Sequence, residues 1–424
     1  MIQNRFLAAL KQTSPSSLSV SSSDESGVTS LRRGLPRKDH TSVCRLRLVA
    51  DEDGVLDWEE GAIVVPGLSK RRRGGLKSDD GAATVAFSRL EPSMITDMLL
   101  RQDQKFTPTR GLLKYRPGSS PIHAPLPTSG KVLLIIHGTF SNGENFLRSL
   151  GETDFGADFL RDASRNYKGI YLFNHPTISV SPIVNAIDLW RLVATSNAQF
   201  DIVSHSRGGL VTRWWCELFD PQRDRCKNAI MVGSPLAGTG LAAPPNIRKT
   251  LKLLTNYGNA LNGVVGMSTL ALPVMGIVNT LLSVITTFTS VGASTPISDG
   301  LMAMLPGLFG QSRVGNNPEL LRLHELTENY ERYAFVRSNY ESENPGWRFW
   351  KYFSKGRLAD IATDLLFDGE NDLVVDTDSM TYLSASAQIG PKRIFDFGTT
   401  EEVHHVSYFH HQQTIDFCRK ILNF

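Results

Sequence analysis

The chain has 424 residues, of which 41% are hydrophobic and 21% are charged, a composition typical of globular proteins with a substantial core. This length allows two or three domains, or one α/β domain with insertions. A net charge of +3 does not favour nucleic-acid binding, and the basic run at 70–73 is followed by Asp79 and Asp80, as in a solvated loop. The four cysteines have neither metal-ligand spacing nor a dense disulfide pattern, so we expect a reducing, cytoplasmic location and no metal or other cofactor.

The first 130 residues are predicted to form three segments. Residues 1–40 are Ser-rich with few apolar side chains, which predicts a mostly disordered tail, and a transit peptide stays open as an alternative. Residues 41–116 contain alternating and β-branched stretches and are predicted to be a small β-rich section. Residues 117–130 are rich in Pro, Gly and Ser and are predicted to be a linker.

Strands and helices are predicted to alternate in a domain that spans 131–424. Short apolar runs indicate buried strands at 131–138, 169–176, 200–206, 227–235, 331–338 and 393–398. Helical patterns fall at 154–166, 186–196, 347–366 and 411–424. This alternation predicts an α/β fold with a doubly wound, mostly parallel sheet covered on both faces.

Residues 253–298 contain no charged residue. A membrane helix, a buried pair of helices and a cap inserted into the sheet domain are the three interpretations. Polar and helix-breaking residues dilute the most apolar part, 274–291, and weigh against a membrane span. We therefore predict an apolar helical cap at about 245–325, with one face formed by Leu281, Leu282, Ile285 and Phe288.

The stretch FDIVSHSRGGLVTR at 200–213 predicts a strand that turns sharply into a helix. Small residues are needed where the two backbones approach, and the residue at the turn, Ser206, becomes exposed at the edge of the sheet. The pattern is that of the nucleophile elbow G-x-S-x-G, with Ser204 in place of the first glycine. The simpler interpretation is that Ser206 only caps the helix.

Candidate partners for this serine follow it in the chain. A serine nucleophile needs a histidine base that a carboxylate orients. The loop FDGENDLVVDTDSM at 367–380 contains Asp372, favoured because it immediately precedes an apolar run, with Asp368, Asp376 and Asp378 as alternatives. The loop VHHVSYFHH at 403–411 contains His404 and His405, only one of which can point at the serine.

Five motifs in this order resemble those of the α/β-hydrolase superfamily, and of its bacterial lipases and esterases, over roughly 130–424. They are IIHGTFSN as oxyanion loop, SHSRGG as elbow, VGSPLAGTG after the next strand, NDLVVDTDSM as acid loop and HHVSYF as histidine loop. The sequence departs from the family pattern at Ser204, at Leu373, where the acid loop often has glycine, and in its doubled histidine.

The resemblance implies a role for each matched residue. Ser206 would be the nucleophile, Asp372 the orienting acid and His405 the base, because His405 stands three residues before Tyr408 in a His-x-x-Tyr-Phe pattern of the family. The backbone N–H groups of Thr139 and Arg207 would form the oxyanion hole. His137 would support that loop, and the Arg207 side chain is expected to bind a polar substrate group or an acidic helix partner.

These features predict a serine esterase or lipase that cleaves a lipophilic ester through an acyl-enzyme, with the cap forming the acyl pocket and touching a membrane peripherally. An acyltransferase or thioesterase would use the same triad. A catalytically silent adaptor built on the same fold is the alternative from another class.

Overall fold

A computed structural model describes most of the chain. Near the N-terminus it describes residues 4–13, 18–22, 43–60 except 53, and 83–88. Further along it describes 95–242, 247–263, 274–282, 305–326 except 314 and 316, 330–350 except 345, 346 and 348, and 366–424 except 368. The chain divides into two compact units: Met1–Met98 with Arg248–Ile297, and Leu99–Ile247 with Ser298–Phe424.

The regular elements are numbered here in chain order. The strands are β1 (Leu18–Ser22), β2 (Val43–Ala50), β3 (Leu56–Glu60), β4 (Ala83–Ser88), β5 (Gly111–Tyr115), β6 (Ile122–His123), β7 (Ser129–Ile136), β8 (Ile170–Asn174), β9 (Asn197–His205), β10 (Cys226–Val232), β11 (Tyr333–Tyr340) and β12 (Ile394–Thr400). The helices are α1 (Asn4–Thr13), α2 (Ile95–Phe106), α3 (Gly143–Gly151), α4 (Asp154–Asn166), α5 (Pro182–Val193), α6 (Gly208–Phe219), α7 (Ile247–Gly263), α8 (274–282), α9 (Pro306–Phe309), α10 (Pro318–Leu326) and α11 (Gln412–Leu422).

The second unit is built on an eight-stranded sheet in the order β12-β11-β10-β9-β7-β8-β5-β6. Every pairing from β12 to β8 is parallel, and β5 pairs antiparallel with both β8 and β6. The five residues from Val132 to Ile136 in β7 are all fully buried, because a central parallel strand is covered on both faces and reads as a continuous apolar run. The predicted α/β class with a mostly parallel sheet is confirmed.

Helices cover both faces of this sheet and form two cores. On one face, α5, α6 and α10 pack on alternate residues of β7 such as Leu134, with Trp214 and Trp215 of α6 in the same cluster. On the other face, α3, α4 and α11 pack on the intervening residues such as Ile135. The carboxyl ends of β7, β9, β10 and β11 therefore meet at one edge, where loops can bring side chains together.

The first unit contains a four-stranded antiparallel sheet in the order β1-β4-β2-β3. Its strand β3 is joined to α7: the side-chain amide of Asn256 accepts from Leu56 N–H and donates to Leu56 C=O, both at 2.8 Å. The indole of Trp58 donates to Thr255 Oγ1 at 2.8 Å, and Lys252 pairs with Asp57 at 2.9 Å. Residues distant in sequence thus form one unit that the sequence did not predict.

The predicted disordered tail needs correction where the structure describes it. Residues 4–13 form α1 and 18–22 form β1. Phe6 and Leu10 are fully buried, and the carbonyl of Leu10 accepts from the Asn279 side chain at 2.9 Å. A few apolar residues on one helix face are enough for burial when a partner segment lies far along the chain, which composition alone does not reveal.

The boundary at residue 131 also differs from the structure. Strands β5 and β6, which the sequence assigned to the β-rich section and the linker, belong to the main sheet, and β7 begins at Ser129. Strand β6 has two residues, too few for a periodic signal.

The predicted cap falls on both units, since residues 248–297 belong to the first and 298 onward to the second. Its proposed face lies partly in α8, where Leu281 and Leu282 are buried, whereas Ile285 and Phe288 lie outside the described residues, as does most of the helix predicted at 347–366. None of the helices in the described part of the chain combines the length and apolar character that crossing a membrane requires.

Candidate active site

Ser206 lies at a sharp turn between β9 and α6, and its φ angle of 55° falls in the left-handed region that side chains rarely adopt. A Cβ atom on Gly208 would meet the carbonyl oxygen of Ile136, so only glycine fits where the helix starts beside β7. Ser204, the departure from the elbow pattern, is fully buried, and its hydroxyl donates to the carbonyl of Ile230 at 3.2 Å. The extra hydroxyl is thereby satisfied by the neighbouring strand.

The loops after β11 and β12 bring a carboxylate and an imidazole to this turn. His405 Nε2 lies 2.9 Å from Ser206 Oγ, and His405 Nδ1 lies 2.8 Å from Asp372 Oδ2. The backbone N–H of His405 also donates to the carbonyl of Asp372 at 3.0 Å. Ser206 and His405 are 7% and 5% exposed, and Asp372 is fully buried. The three residues therefore form a continuous hydrogen-bonded chain shielded from water.

The carboxylate of Asp372 is bound from several directions. Its Oδ1 accepts from the backbone N–H groups of Val374 and Val375 at 3.1 and 2.8 Å. Its Oδ2 accepts from the hydroxyl of Tyr408 at 2.9 Å in addition to His405. Two backbone donors and one phenol thus fix the orientation of the carboxylate toward the imidazole.

Gly233, directly after β10, is a site residue that the sequence analysis did not single out. Its φ is +56°, and a Cβ there would lie 2.7 Å from Tyr408 Cε2 and 3.3 Å from Asp372 Oδ2. A side chain would push both groups away from the imidazole, so the glycine of the VGSP motif is required by packing around the acid.

The competing candidates lie elsewhere. The ring of His404 stacks on Trp347 with centroids 5.0 Å apart and meets Tyr340 edge to face at 5.6 Å. Asp376 pairs with Arg313 at 3.1 Å, and Asp378 is exposed and 3.8 Å from Arg337. Asp368 lies outside the described residues.

Leu373, which stands where the acid loop of the family often has glycine, is the second departure from the family pattern. It is a buried residue with φ of 77°, so the backbone keeps the left-handed conformation that glycine usually supplies in such loops. A non-glycine residue there costs on the order of 1–3 kcal/mol, which the surrounding contacts must offset.

The loop after β7 lies against Ser206. A Cβ on Gly138 would be 2.8 Å from Ser206 Cβ. His137 is fully buried, with Nδ1 donating to Gly138 C=O at 2.9 Å and Nε2 accepting from His175 N–H at 3.2 Å. The backbone N–H groups of Thr139 and Arg207 have no acceptor among the described residues. Both N–H groups are therefore available, within the described part of the chain, for the oxyanion role that the resemblance implies, and that role stays a prediction.

The side chain of Arg207 is directed into the protein, which contradicts the first of the two expectations from sequence, a polar substrate group. It agrees with the second, an acidic helix partner, since Asp103 of α2 and Glu319 of α10 interact electrostatically with it. The Arg207 side chain is fully buried and donates to the carbonyls of Val180 and Gly307 and to Asn185 Oδ1. Burial lowers the pKa of this guanidinium to about 9, against the opposing effect of Asp103. Because the position after the nucleophile opens a buried helix, its side chain turns into the protein while its backbone stays at the site.

Three histidines around the triad are held neutral. Burial lowers the pKa of His137, His205 and His404 to about 3. Neutral His205 donates from Nε2 to the carbonyl of His405 at 2.7 Å. That bond ties the histidine loop to the end of β9, another contact that the sequence analysis missed.

A buried serine bonded to an imidazole, with a carboxylate on the other side of that imidazole, has the arrangement that activates a hydroxyl for attack on a carbonyl carbon. Among the described residues, no group of three or more His, Cys, Asp or Glu side chains is arranged to hold a metal ion. The sheet topology and the strand-turn-helix elbow are those of the α/β-hydrolase fold. Residues 103–423 match the family model described as domain of unknown function DUF7379, and the chain belongs to that family.

Several solved structures are similar to this chain. The mature lipase BlEst2 of Bacillus licheniformis is 14% identical, with 72% of this chain and 99% of that chain covered and a TM-score of 0.35. Lipase 1 of Pelosinus fermentans is 13% identical, with coverage of 67% and 98% and a TM-score of 0.42. A carboxylesterase structure from Nitrososphaera gargenis is 9% identical, with coverage of 69% and 90% and a TM-score of 0.35. A comparison with curated proteins finds no match.

Proposed function

We propose that this protein is a serine hydrolase that cleaves carboxylic esters of lipophilic substrates through an acyl-enzyme. The observation that carries the proposal is the unbroken chain from Ser206 Oγ through His405 to Asp372, with contacts of 2.9 and 2.8 Å. A helix cap needs neither a base on its hydroxyl nor a buried acid behind that base. The arrangement therefore favours a nucleophile over the capping interpretation.

In the proposed reaction, Ser206 Oγ attacks the ester carbonyl carbon while its proton passes to His405 Nε2. The N–H groups of Thr139 and Arg207 stabilise the negative oxygen of the tetrahedral intermediate. The intermediate then expels the alcohol, which takes the proton from His405, and leaves an acyl group on Ser206. Water, deprotonated by His405, attacks the acyl carbon. The second tetrahedral intermediate then breaks its bond to Ser206 Oγ, which takes the proton back from His405, and the carboxylic acid is released. Asp372 keeps the imidazole oriented throughout.

A fluorophosphonate probe and a panel of nitrophenyl esters with graded acyl chains test this proposal. We expect covalent labelling of one serine and turnover that rises with chain length, because the proposed substrate is lipophilic. A protein that is neither labelled nor active would favour the silent adaptor. Acyl transfer to an added alcohol or thiol in preference to water would favour the acyltransferase alternative. Peripheral membrane contact and a cytoplasmic location stay predictions.

The paired histidines give a prediction of their own. His405→Ala should lower ester turnover by about a thousandfold or more, because it removes the group that accepts the serine proton. His404→Ala should lower it by less than about tenfold, since His404 packs on Trp347 and acts only through the loop. Turnover of both variants, normalised to folded protein by circular dichroism, checks this. The opposite ranking would assign the base to His404.

A further inference from the structure

The two residues expected to supply the oxyanion hole are joined by a buried polar network that the mechanism above does not use. Thr139 Oγ1 donates to Gln311 Oε1 at 3.0 Å. Gln311, which is 5% exposed, donates from Nε2 to the carbonyl of Gly307 at 2.7 Å. That carbonyl also accepts from Arg207 Nε at 3.4 Å. Thr139 and Arg207 therefore share one anchoring point on α9.

A second route connects the same two residues through the loop at 177–180. The N–H of Phe140, next to Thr139, donates to Thr177 Oγ1 at 3.0 Å. The guanidinium of Arg207 donates to the carbonyl of Val180. Gly307 N–H donates to the carbonyl of Ile178 at 2.9 Å, so the loop and α9 are bonded to each other as well.

The carboxylate of Asp103, in α2, binds the loop at 177–180. It is buried and accepts from the N–H groups of Thr177, Ile178 and Ser179, at 2.7 to 2.9 Å, and from the hydroxyl of Ser179. Charge-assisted bonds of this kind are stronger than neutral ones. These bonds attach the backbone of the loop to α2, which contains Asp103.

We propose that Gln311 is a positioning residue that sets the oxyanion hole, by fixing the Thr139 segment relative to the Arg207 backbone through Gly307. This inference rests on the proposed function. Oxyanion stabilisation depends on donors held in place before the reaction, because reorienting them during the reaction would cost part of the stabilisation. Among the described residues, Gln311 makes no hydrogen bond with Ser206 or His405, so its effect should be confined to states that carry the negative oxygen.

Gln311→Met and Thr139→Val test the link, because each keeps the approximate volume and removes the bond between the two side chains. We expect each to lower kcat by about tenfold to a hundredfold, the scale of a small misplacement at a reacting centre, with KM changed by less than about twofold. The inhibition constant of an alkyl trifluoromethyl ketone, whose serine adduct carries an oxyanion, should rise by the same factor as kcat falls. The double variant should be no worse than the poorer single one, since both remove the same bond.

Two further variants separate positioning from general destabilisation. Thr139→Ser restores the hydroxyl that Thr139→Val removes, so as the conservative variant it should recover most of the kcat and of the ketone affinity that Thr139→Val loses. Ser312→Ala removes the neighbouring bond to Phe309 C=O, 2.8 Å long, and should leave both the ketone affinity and kcat within about twofold. If Gln311→Met does not fold, the contrast between Thr139→Val and Thr139→Ser decides the question.

Suppose that the wild-type protein is an active esterase. If Thr139→Val then leaves both the inhibition constant and kcat unchanged, the inference is overturned and the proposed function stands. A wild-type protein without esterase activity or probe labelling would overturn the proposed function itself. An equal loss for Ser312→Ala and Gln311→Met would reduce Gln311 to a structural role.

Discussion

Ser206→Ala is expected to lower ester turnover by more than about a thousandfold and to abolish fluorophosphonate labelling, because loss of a triad serine leaves only the binding and oxyanion contributions. The fold should survive. The hydroxyl makes no other side-chain hydrogen bond among the described residues, and alanine removes only one atom from the turn. Initial rates with the best nitrophenyl ester, together with a thermal unfolding curve, measure both effects.

Ser204→Gly is the matched control, because it changes another buried serine of the same elbow and restores the glycine of the family pattern. We expect it to retain activity within about tenfold, since Ser204 Oγ bonds only to a strand carbonyl. If Ser206→Ala keeps more than about a thousandth of wild-type turnover, the nucleophile has been assigned to the wrong residue.

Stability is expected to fall steeply when the pH drops below about 6.5, because of the buried histidines. Burial lowers the pKa of His137, His205 and His404 to about 3 in the folded state, whereas an unfolded histidine has a pKa of about 6.5. Between these values the unfolded chain binds more protons, so acid favours unfolding. At pH 5 each residue should lose about 2 kcal/mol of stability relative to pH 8, about 6 kcal/mol for the three.

Urea unfolding at pH 8 and pH 5 measures this loss, which is comparable with the whole stability of many domains. His404→Phe should reduce the difference between the two pH values by about 2 kcal/mol, whatever its effect at pH 8. Equal urea midpoints at both pH values would contradict the prediction.

The parts of the fold that the sequence predicted are those with strong local signals. The continuous apolar run of β7 and the small residues around Ser206 follow from burial on two faces and from close backbone approach, both of which act over a few residues. Asp372 could be favoured over its neighbours because it adjoins an apolar run. The residues that surround its carboxylate could not be deduced, because Tyr408, which donates to it, and Gly233, which leaves space for it, come from other loops.

Other features depend on contacts between distant segments. His404 and His405 are adjacent, and in the sequence only the His-x-x-Tyr-Phe pattern of the resemblance favours His405. The orientations themselves follow from distant contacts, since Trp347 packs on His404 while His405 bonds to Ser206 and Asp372. Leu373 shows that a backbone conformation can persist when the residue that favours it has been replaced. The pairing of α7 with β3 joins residues 200 positions apart. The hydrophobic periodicity of a sequence indicates local helices and strands, and it does not indicate which distant segments will pair.

The hydrogen bond between Ser206 and His405 spans 199 positions in sequence, and on the proposed function this separation determines when activity can arise during synthesis. A ribosome-bound chain exposes Ser206 long before Asp372 and His405 have been translated, so the elbow should lack its proposed base and acid at that stage. Closing so long a loop is slow relative to local structure formation, because contacts distant in sequence bear a large entropic cost. Reactivity toward a serine probe should therefore appear only after the C-terminal strand β12 and the loop beyond it have docked, which makes the probe a direct reporter of completed folding.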